Sequence, residues 1–335
     1  MQISNAMLRC VVFLYESGAD GKRRLVGTAF VVSMYLPGVP RTERGTYLMT
    51  AKHIVEAVHR VGKQLYARVN SRGPLEMALW AEALYEQERR EKAGDKTDII
   101  RVFEELRANP PESVVLLAEA MSNQEPSLIE GVKFVDLGGP ENWIFHENPI
   151  VDAAVLPWQP AAAEDVWPFP IKDSVTPELI AREGIGLGED VFVVGLFSPR
   201  AGQTRNIPII RVGNIAAMPD EPIETATGRQ EAYLVELLSI GGLSGSPVFT
   251  YLGGIRREPS KDEKISVTAR AGAIYLLGLM NGHWGIGSAH VDAVQDALDG
   301  GDRVNMGIAI VVPIARLLEI LDYPRARAAW DSIGR

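Results

Sequence analysis

The segment Gly241-Gly242-Leu243-Ser244-Gly245-Ser246-Pro247-Val248-Phe249 constrains this 335-residue chain more than any other. A serine set among small residues, then Ser-Pro and an apolar pair, describes a tight turn that lifts a hydroxyl at the mouth of a β-strand. Glycine matters there because a hydroxyl attacking a carbonyl needs backbone N–H groups close to the developing oxyanion, and side chains would crowd the approach. By itself a Gly/Ser/Pro cluster signals only a turn. Its chemical meaning depends on what lies upstream.

Two upstream segments supply candidate partners, in the order His, Asp, Ser. The run Gly45 to Val55 reads as an apolar strand that delivers His53 at its end, where the chain turns helical. Pro149 to Pro157 places Asp152 at the start of a short buried strand. A carboxylate entering an apolar strand is costly unless hydrogen-bonded, and an imidazole N–H is a suitable donor. Each residue has a plainer reading, a structural histidine or a turn-forming aspartate, but the order makes a Ser-His-Asp set the better one. Other signals fail their tests. Gly184-x-Gly186-x-Gly188 lacks the strand-before, helix-after setting and the last glycine of a dinucleotide loop. Ser246 stands where the nucleophile elbow of α/β-hydrolases needs glycine. His283 and His290 have no cysteine or carboxylate cluster at metal spacing, so a zinc site is not expected, and Ser-His-Asp chemistry itself needs neither a metal nor an organic cofactor.

β-branched and aromatic runs bounded by Gly, Pro and polar turns predict strands near 8–15, 24–34, 45–50, 64–70, 131–137 and 152–157, then near 190–197, 207–217, 232–238, 246–251, 273–281 and 306–312. Pro313 then opens a helix with Ile314, Leu317, Leu318 and Leu321 on one face. Between His53 and Asp152, residues 74–93 and 97–107 have helical periodicity and strong helix formers, which predicts a helical insertion over about 72–130. Its charged run Glu86 to Lys92 reads as a solvated face with i,i+4 pairs, and as a protein-partner surface in the alternative. With 46% apolar and 23% charged residues the chain can bury a sizeable core. A net charge of −9 argues against nucleic acid or an anionic membrane as partner. No segment approaches the roughly 18 consecutive apolar residues of a membrane span.

The motifs together resemble the trypsin-like, chymotrypsin-fold serine peptidases of the bacterial, disulfide-free type. Thr50-Ala51-Lys52-His53, Asp152-Ala153-Ala154-Val155-Leu156 and Gly242-Leu243-Ser244-Gly245-Ser246-Pro247 carry the likeness. Gly27-Thr28-Ala29-Phe30 is similar to the strand before the histidine strand, with Ala29 in place of the usual glycine. Leu187 to Gly195 and Gly307 to Pro313 are similar to the first and last strands of the second barrel in Deg-type proteases. The resemblance implies two six-stranded antiparallel β-barrels: the first over 1–160 with the helical insertion, a linker over 161–188, and a second barrel with a C-terminal helix over 189–335. It implies a serine endopeptidase with His53, Asp152 and Ser244 as catalytic residues and the backbone N–H groups of Gly242 and Ser244 as oxyanion hole. Leu238, Asn281, Gly282, His283 and Gly307 would shape the substrate pocket, favouring small or medium apolar residues. The rival is Glu preference, since Gly282-His283-Trp284-Gly285 resembles the His-Trp-Gly of glutamyl endopeptidases. The substrate would be a peptide or protein. A catalytically silent binding protein on the same fold, or an esterase, are the alternatives. Secreted relatives usually carry several cysteines. The lone Cys10, together with an apolar run over 10–15 too short for a secretory signal, predicts a cytoplasmic protein.

Overall fold

The computed structural model describes residues 3, 5–18, 21–35, 44–95, 97, 99–121, 129–225, 228–237, 242–253, 255–258, 266–269, 272–285 and 305–333. In chain order a short helix α1 (Asn5–Arg9) leads into strands β1 (Val11–Ser17), β2 (Arg23–Tyr35) and β3 (Arg44–Thr50), helix α2 (Lys52–Arg60) and strand β4 (Gln64–Arg72). Three helices follow: α3 (Pro74–Lys92), α4 (Ile99–Ala108) and α5 (Glu112–Met121). The chain returns through β5 (Ile129–Asp136), β6 (Ile144–Phe145), β7 (Ala154–Pro157), β8 (Phe169–Pro170) and α6 (Pro177–Glu183). The second half contains β9 (Asp190–Gly195), β10 (Ile209–Ala217), a small hairpin of β11 (Ile223–Thr225) and β12 (Gly228–Gln230), β13 (Tyr233–Glu236) and β14 (Pro247–Leu252). A second hairpin, β15 (Ile255–Glu258) with β16 (Ser266–Ala269), precedes β17 (Ala273–Gly285), β18 (Asn305–Pro313), α7 (Ile314–Asp322) and α8 (Pro324–Ile333).

The second half closes on itself as a six-stranded antiparallel barrel in the order β10-β13-β18-β17-β14-β9. Residues Val191 to Val194, Val248 and Phe249, Leu276, Leu277, Leu279 and Met280, and Val311 and Val312 are fully buried. Short apolar runs with both faces covered are what a filled barrel requires. Bulges between Val248 and Phe249 and between Met280 and Gly282 bend the strands so that the ends meet.

The first half departs from the expected second barrel. Its strands form one open antiparallel sheet ordered β5-β4-β1-β2-β3-β7-β6, with the two-residue β8 pairing parallel to β2. Closure would need β5 to ladder with the β7 side. Instead the chain leaves β5 after Asp136 and turns through Gly138 (φ 72°), Gly139 and Pro140; only at Ile144 does it come alongside β7. Proline lacks the N–H a ladder needs, so the seam is filled by packing, with Trp143 buried there.

α3, α4 and α5 form the helical insertion, and they carry a core of their own. Ala78, Leu79, Ala83, Val102, Phe103, Val114 and Ala118 pack with Trp167, apart from the continuous core that runs through both sheets. On the solvent side Glu88 pairs with Lys92 at 2.7 Å and Glu86 with Arg90 at 3.0 Å, the i,i+4 pattern expected from the sequence. Beneath the helices lies buried charge. Arg9 Nη1 meets Glu76 Oε1 at 2.6 Å and stands 3.2 Å from Asp165 Oδ1, with its guanidinium 4.6 Å from the Trp167 ring centre. Arg72 lies likewise over Trp80. Burial pushes the Glu76 and Asp165 carboxyls above their ordinary values and the Arg72 guanidinium below its own, each partly offset by the opposite charges nearby.

Candidate functional site

α2 begins at the end of β3, and Ala51, its N-cap, has no side chain with which to cap it. The missing acceptor comes from far along the sequence. Asp152 Oδ1 accepts the backbone N–H of His53 at 2.8 Å, while Oδ2 lies 2.6 Å from His53 Nδ1. One buried carboxylate thus caps a helix and grips the imidazole of the same residue. An ionised carboxylate only accepts, so with Asp152 in that form the hydrogen between them would reside on Nδ1, and in a neutral ring Nε2 would then be the acceptor. Asp152 is 1% exposed, and the His53 side chain is 45% exposed, so the ring is held on one side and open on the other. Lys52 strengthens the clasp by donating from Nζ to the Pro149 carbonyl at 3.1 Å.

Ser244 arrives from the other half of the molecule. Its loop is sewn to the first sheet: Thr28 N–H donates to the Ser244 carbonyl at 3.0 Å, Thr28 Oγ1 donates to the Gly242 carbonyl at 2.8 Å, and Thr50 Oγ1 donates to the Thr28 carbonyl at 2.8 Å. On its other flank Gly245 N–H donates to the Met280 carbonyl at 2.8 Å. Glycine is required at 245: with φ at 83°, an added Cβ would lie 2.0 Å from the Thr28 carbonyl oxygen and 2.4 Å from Thr50 Oγ1. Gly27 shows how near the two halves come. A Cβ there would meet Ile54 Cδ1, one residue past His53, at 2.5 Å and the Ser244 carbonyl oxygen at 3.2 Å.

The Ser244 hydroxyl, however, does not point to His53. Its Oγ donates to the Asn281 carbonyl at 3.1 Å. The structure therefore joins His53 to Asp152 directly and brings the Ser244 loop to the same junction with its hydroxyl engaged elsewhere. Gly242 has φ of 100°, and among the described residues no backbone carbonyl accepts from its N–H or from that of Ser244.

Of the expected pocket residues, Asn281 and Gly282 lie in β17 and Gly307 in the neighbouring β18. A Cβ at Gly282 or Gly307 would meet no atom within 4 Å, so both border open space. His283 is in β17 with its backbone opposite Ala309. Leu238 and the side chain of His283 lie outside the described residues.

The sequence reading missed Thr28 and Thr50 as the residues that fix the Ser244 loop to the sheet carrying His53, and Asn281 as the acceptor of the Ser244 hydroxyl. A signal existed for the threonines. Both sit in apolar strands, both are fully buried, and a buried hydroxyl there needs a partner. His59 and His146 stay apart from the site: burial lowers the His59 pKa, and His146 Nε2 lies 2.7 Å from Glu319 Oε2.

No protein family profile matches the chain, and no curated protein matches it. Among solved structures it is similar to the MamO protease domain from Magnetospirillum magneticum in its apo form, at 12% sequence identity and a TM-score of 0.46. The match covers 96% of this chain and all of that one. At such identity and score the likeness carries no inference about chemistry.

Proposed function

We propose that the chain is a serine endopeptidase that cleaves peptide bonds through an acyl-enzyme. The observation that carries this reading is the two-point grip of Asp152 on His53, in a sheet to which the Ser244 loop is anchored through Thr28. In the reaction Ser244 Oγ leaves the Asn281 carbonyl, turns to His53 Nε2 and attacks the substrate carbonyl as its proton passes to Nε2. Exchanging one neutral hydrogen bond for another costs about 1 kcal/mol or less. The tetrahedral oxyanion is met by the N–H groups of Gly242 and Ser244. Asp152 stays ionised against the imidazolium, and His53 then protonates the leaving amine. Water repeats the sequence to release the acid. The open space at Gly282 and Gly307 suits small or medium apolar side chains before the cut.

One observation favours a second reading. The hydroxyl of Ser244 is satisfied by Asn281, as it would be in a binding protein that has kept the framework without turnover. A fluorophosphonate probe tests both. Labelling at Ser244 that is lost in His53→Ala supports the peptidase; a folded protein that stays unlabelled supports the binding protein. Peptide-library digestion then reads the residue preferred before the cut, with a dominant Glu lost in His283→Ala pointing to the rival pocket.

A further inference from the structure

A cavity of about 310 Å³ lies where the helical insertion, the β1 and β4 face of the first sheet and the loop between β9 and β10 of the barrel meet. It shares no residue with the His53, Asp152 and Ser244 cluster. Its size is at the small end of the roughly 300–1,000 Å³ range of ligand pockets.

The barrel loop is fixed there by the first sheet. Arg68, buried, donates from Nη2 to the carbonyls of Gly202 and Gln203, both at 2.8 Å, and Asn206 Nδ2 returns a hydrogen bond to the Arg68 carbonyl at 2.7 Å. That last bond fixes the Asn206 carboxamide, because a carbonyl can only accept. The group left over is Oδ1, a buried acceptor with no hydrogen-bond partner among the described residues. Asp165, whose Oδ1 faces Arg9 Nη1 at 3.2 Å, adds a buried carboxylate to the wall. Arg107 supplies the opposite need. Its Nη1 is buried without a hydrogen-bond partner among the described residues, held only by a loose ion pair with Glu104 Oε1 at 3.8 Å. Arg205, also on the wall, pairs with no carboxylate among the described residues. Arg9 is already committed to Glu76 and Asp165. Val12, Val69 and Ile207 supply apolar wall.

Buried polar atoms in a native structure are rarely left unpaired, so a cavity that sets an unanswered acceptor and a buried carboxylate opposite loosely held guanidinium groups calls for a molecule that answers both. An inorganic anion would answer the arginines, leave Asn206 Oδ1 bare and bring a second negative charge to Asp165. An apolar molecule would leave all of them bare.

We propose that this cavity binds a small apolar zwitterion, with the chemistry of an apolar α-amino acid or dipeptide. The carboxylate lies toward Arg107 and Arg205, the ammonium toward Asp165 and Asn206 Oδ1, and the apolar body against the valines and Ile207. The site is independent of whether Ser244 turns over.

The test is calorimetric titration of the full-length Ser244→Ala protein, which cannot consume the probes, with leucine, leucyl-leucine, leucinamide, N-acetyl-leucine and inorganic phosphate. Saturable binding of leucine or leucyl-leucine is expected, the two arms separating amino acid from dipeptide. Blocking either end should weaken it at least tenfold, and Arg205→Ala, a change at an exposed side chain, should do the same with an unchanged melting temperature. Binding that persists in Arg205→Ala and in Arg107→Ala, phosphate binding as well as the zwitterion, or no saturation below about 10 mM would each overturn the proposal. So would binding abolished by His53→Ala, which would place the probe in the other site.

Discussion

The two halves of this molecule solve the same problem differently. The second closes six strands into a barrel with no free edge. The first leaves its sheet open at β5 and β6 and packs helices around it. The functional groups divide along the same line. The open half holds His53 and Asp152 through bonds that also build the fold, since the carboxylate that orients the ring is the cap of α2. The closed half contributes a serine whose hydroxyl holds up nothing but its own rotamer. The regular scaffold thus carries its candidate residue at little structural cost, whereas the irregular one makes its candidate residues structural.

Replacement of the groups should expose that asymmetry. Ser244→Ala is expected to lower peptide turnover by roughly four to six orders of magnitude while shifting unfolding free energy by no more than about 1 kcal/mol. Asp152→Ala should inactivate comparably but also destabilise by about 1–3 kcal/mol, because it leaves the His53 N–H and Nδ1–H without their acceptor. Urea unfolding of both variants beside steady-state assays decides it; equal stability loss in the two would break the distinction between the halves.

The seam between them is probed by Gly245→Ala. Forcing a Cβ against the Thr28 carbonyl at positive φ should cost about 3 kcal/mol or more and lower the melting temperature. A variant that melts like the parent would mean that the loop is not clamped as described. Hydrogen exchange sharpens the comparison further. Amides of β9, β14 and β17, buried in a closed barrel, should open only with global unfolding, while those of β5 and the insertion should exchange through smaller openings. Uniform protection in both halves would count against it.

A subtler contrast concerns pH. The pKa values of Glu76 and Asp165 are raised in the folded chain above the ordinary 4.5 and 3.8. Between the ordinary and raised values the folded state binds more protons than the unfolded one, so the contribution of this cluster to stability falls as pH rises through that window. Glu76→Gln, which cannot ionise, should therefore gain on the parent protein as pH increases from about 4.5. Parallel melting profiles of the two proteins would show that Glu76 is not held as buried charge.

The main strands of both halves were legible because barrel strands and buried sheet strands share one signature, short apolar runs ended by turn residues; the two-residue β6 and β8 and the polar hairpins β11–β12 and β15–β16 lack it and escaped. The difference between open and closed was not legible. It hangs on Gly138-Gly139-Pro140 directing the chain away from a ladder, and the same residues suit an ordinary turn inside a barrel. At the site, His53, Asp152 and Ser244 could be named because each is a polar residue at the edge of an apolar run. The route of the Ser244 hydroxyl to Asn281 could not, since it depends on a side-chain rotation that no residue pattern records. The helix α5 also escaped, its mixed burial giving weaker periodicity than α4.

The double duty of Asp152 has a consequence in time. In a chain made from its N-terminus, His53 exists long before residue 152, and until that carboxylate arrives the first turn of α2 lacks its cap and the ring lacks its orientation. Ser244 is synthesised later still and is seated between the threonines of the first sheet and strand β17, which follows it in the chain. Maturation of the shape and assembly of the His53, Asp152 and Ser244 junction are then one event, completed only when the last of the three segments has been made.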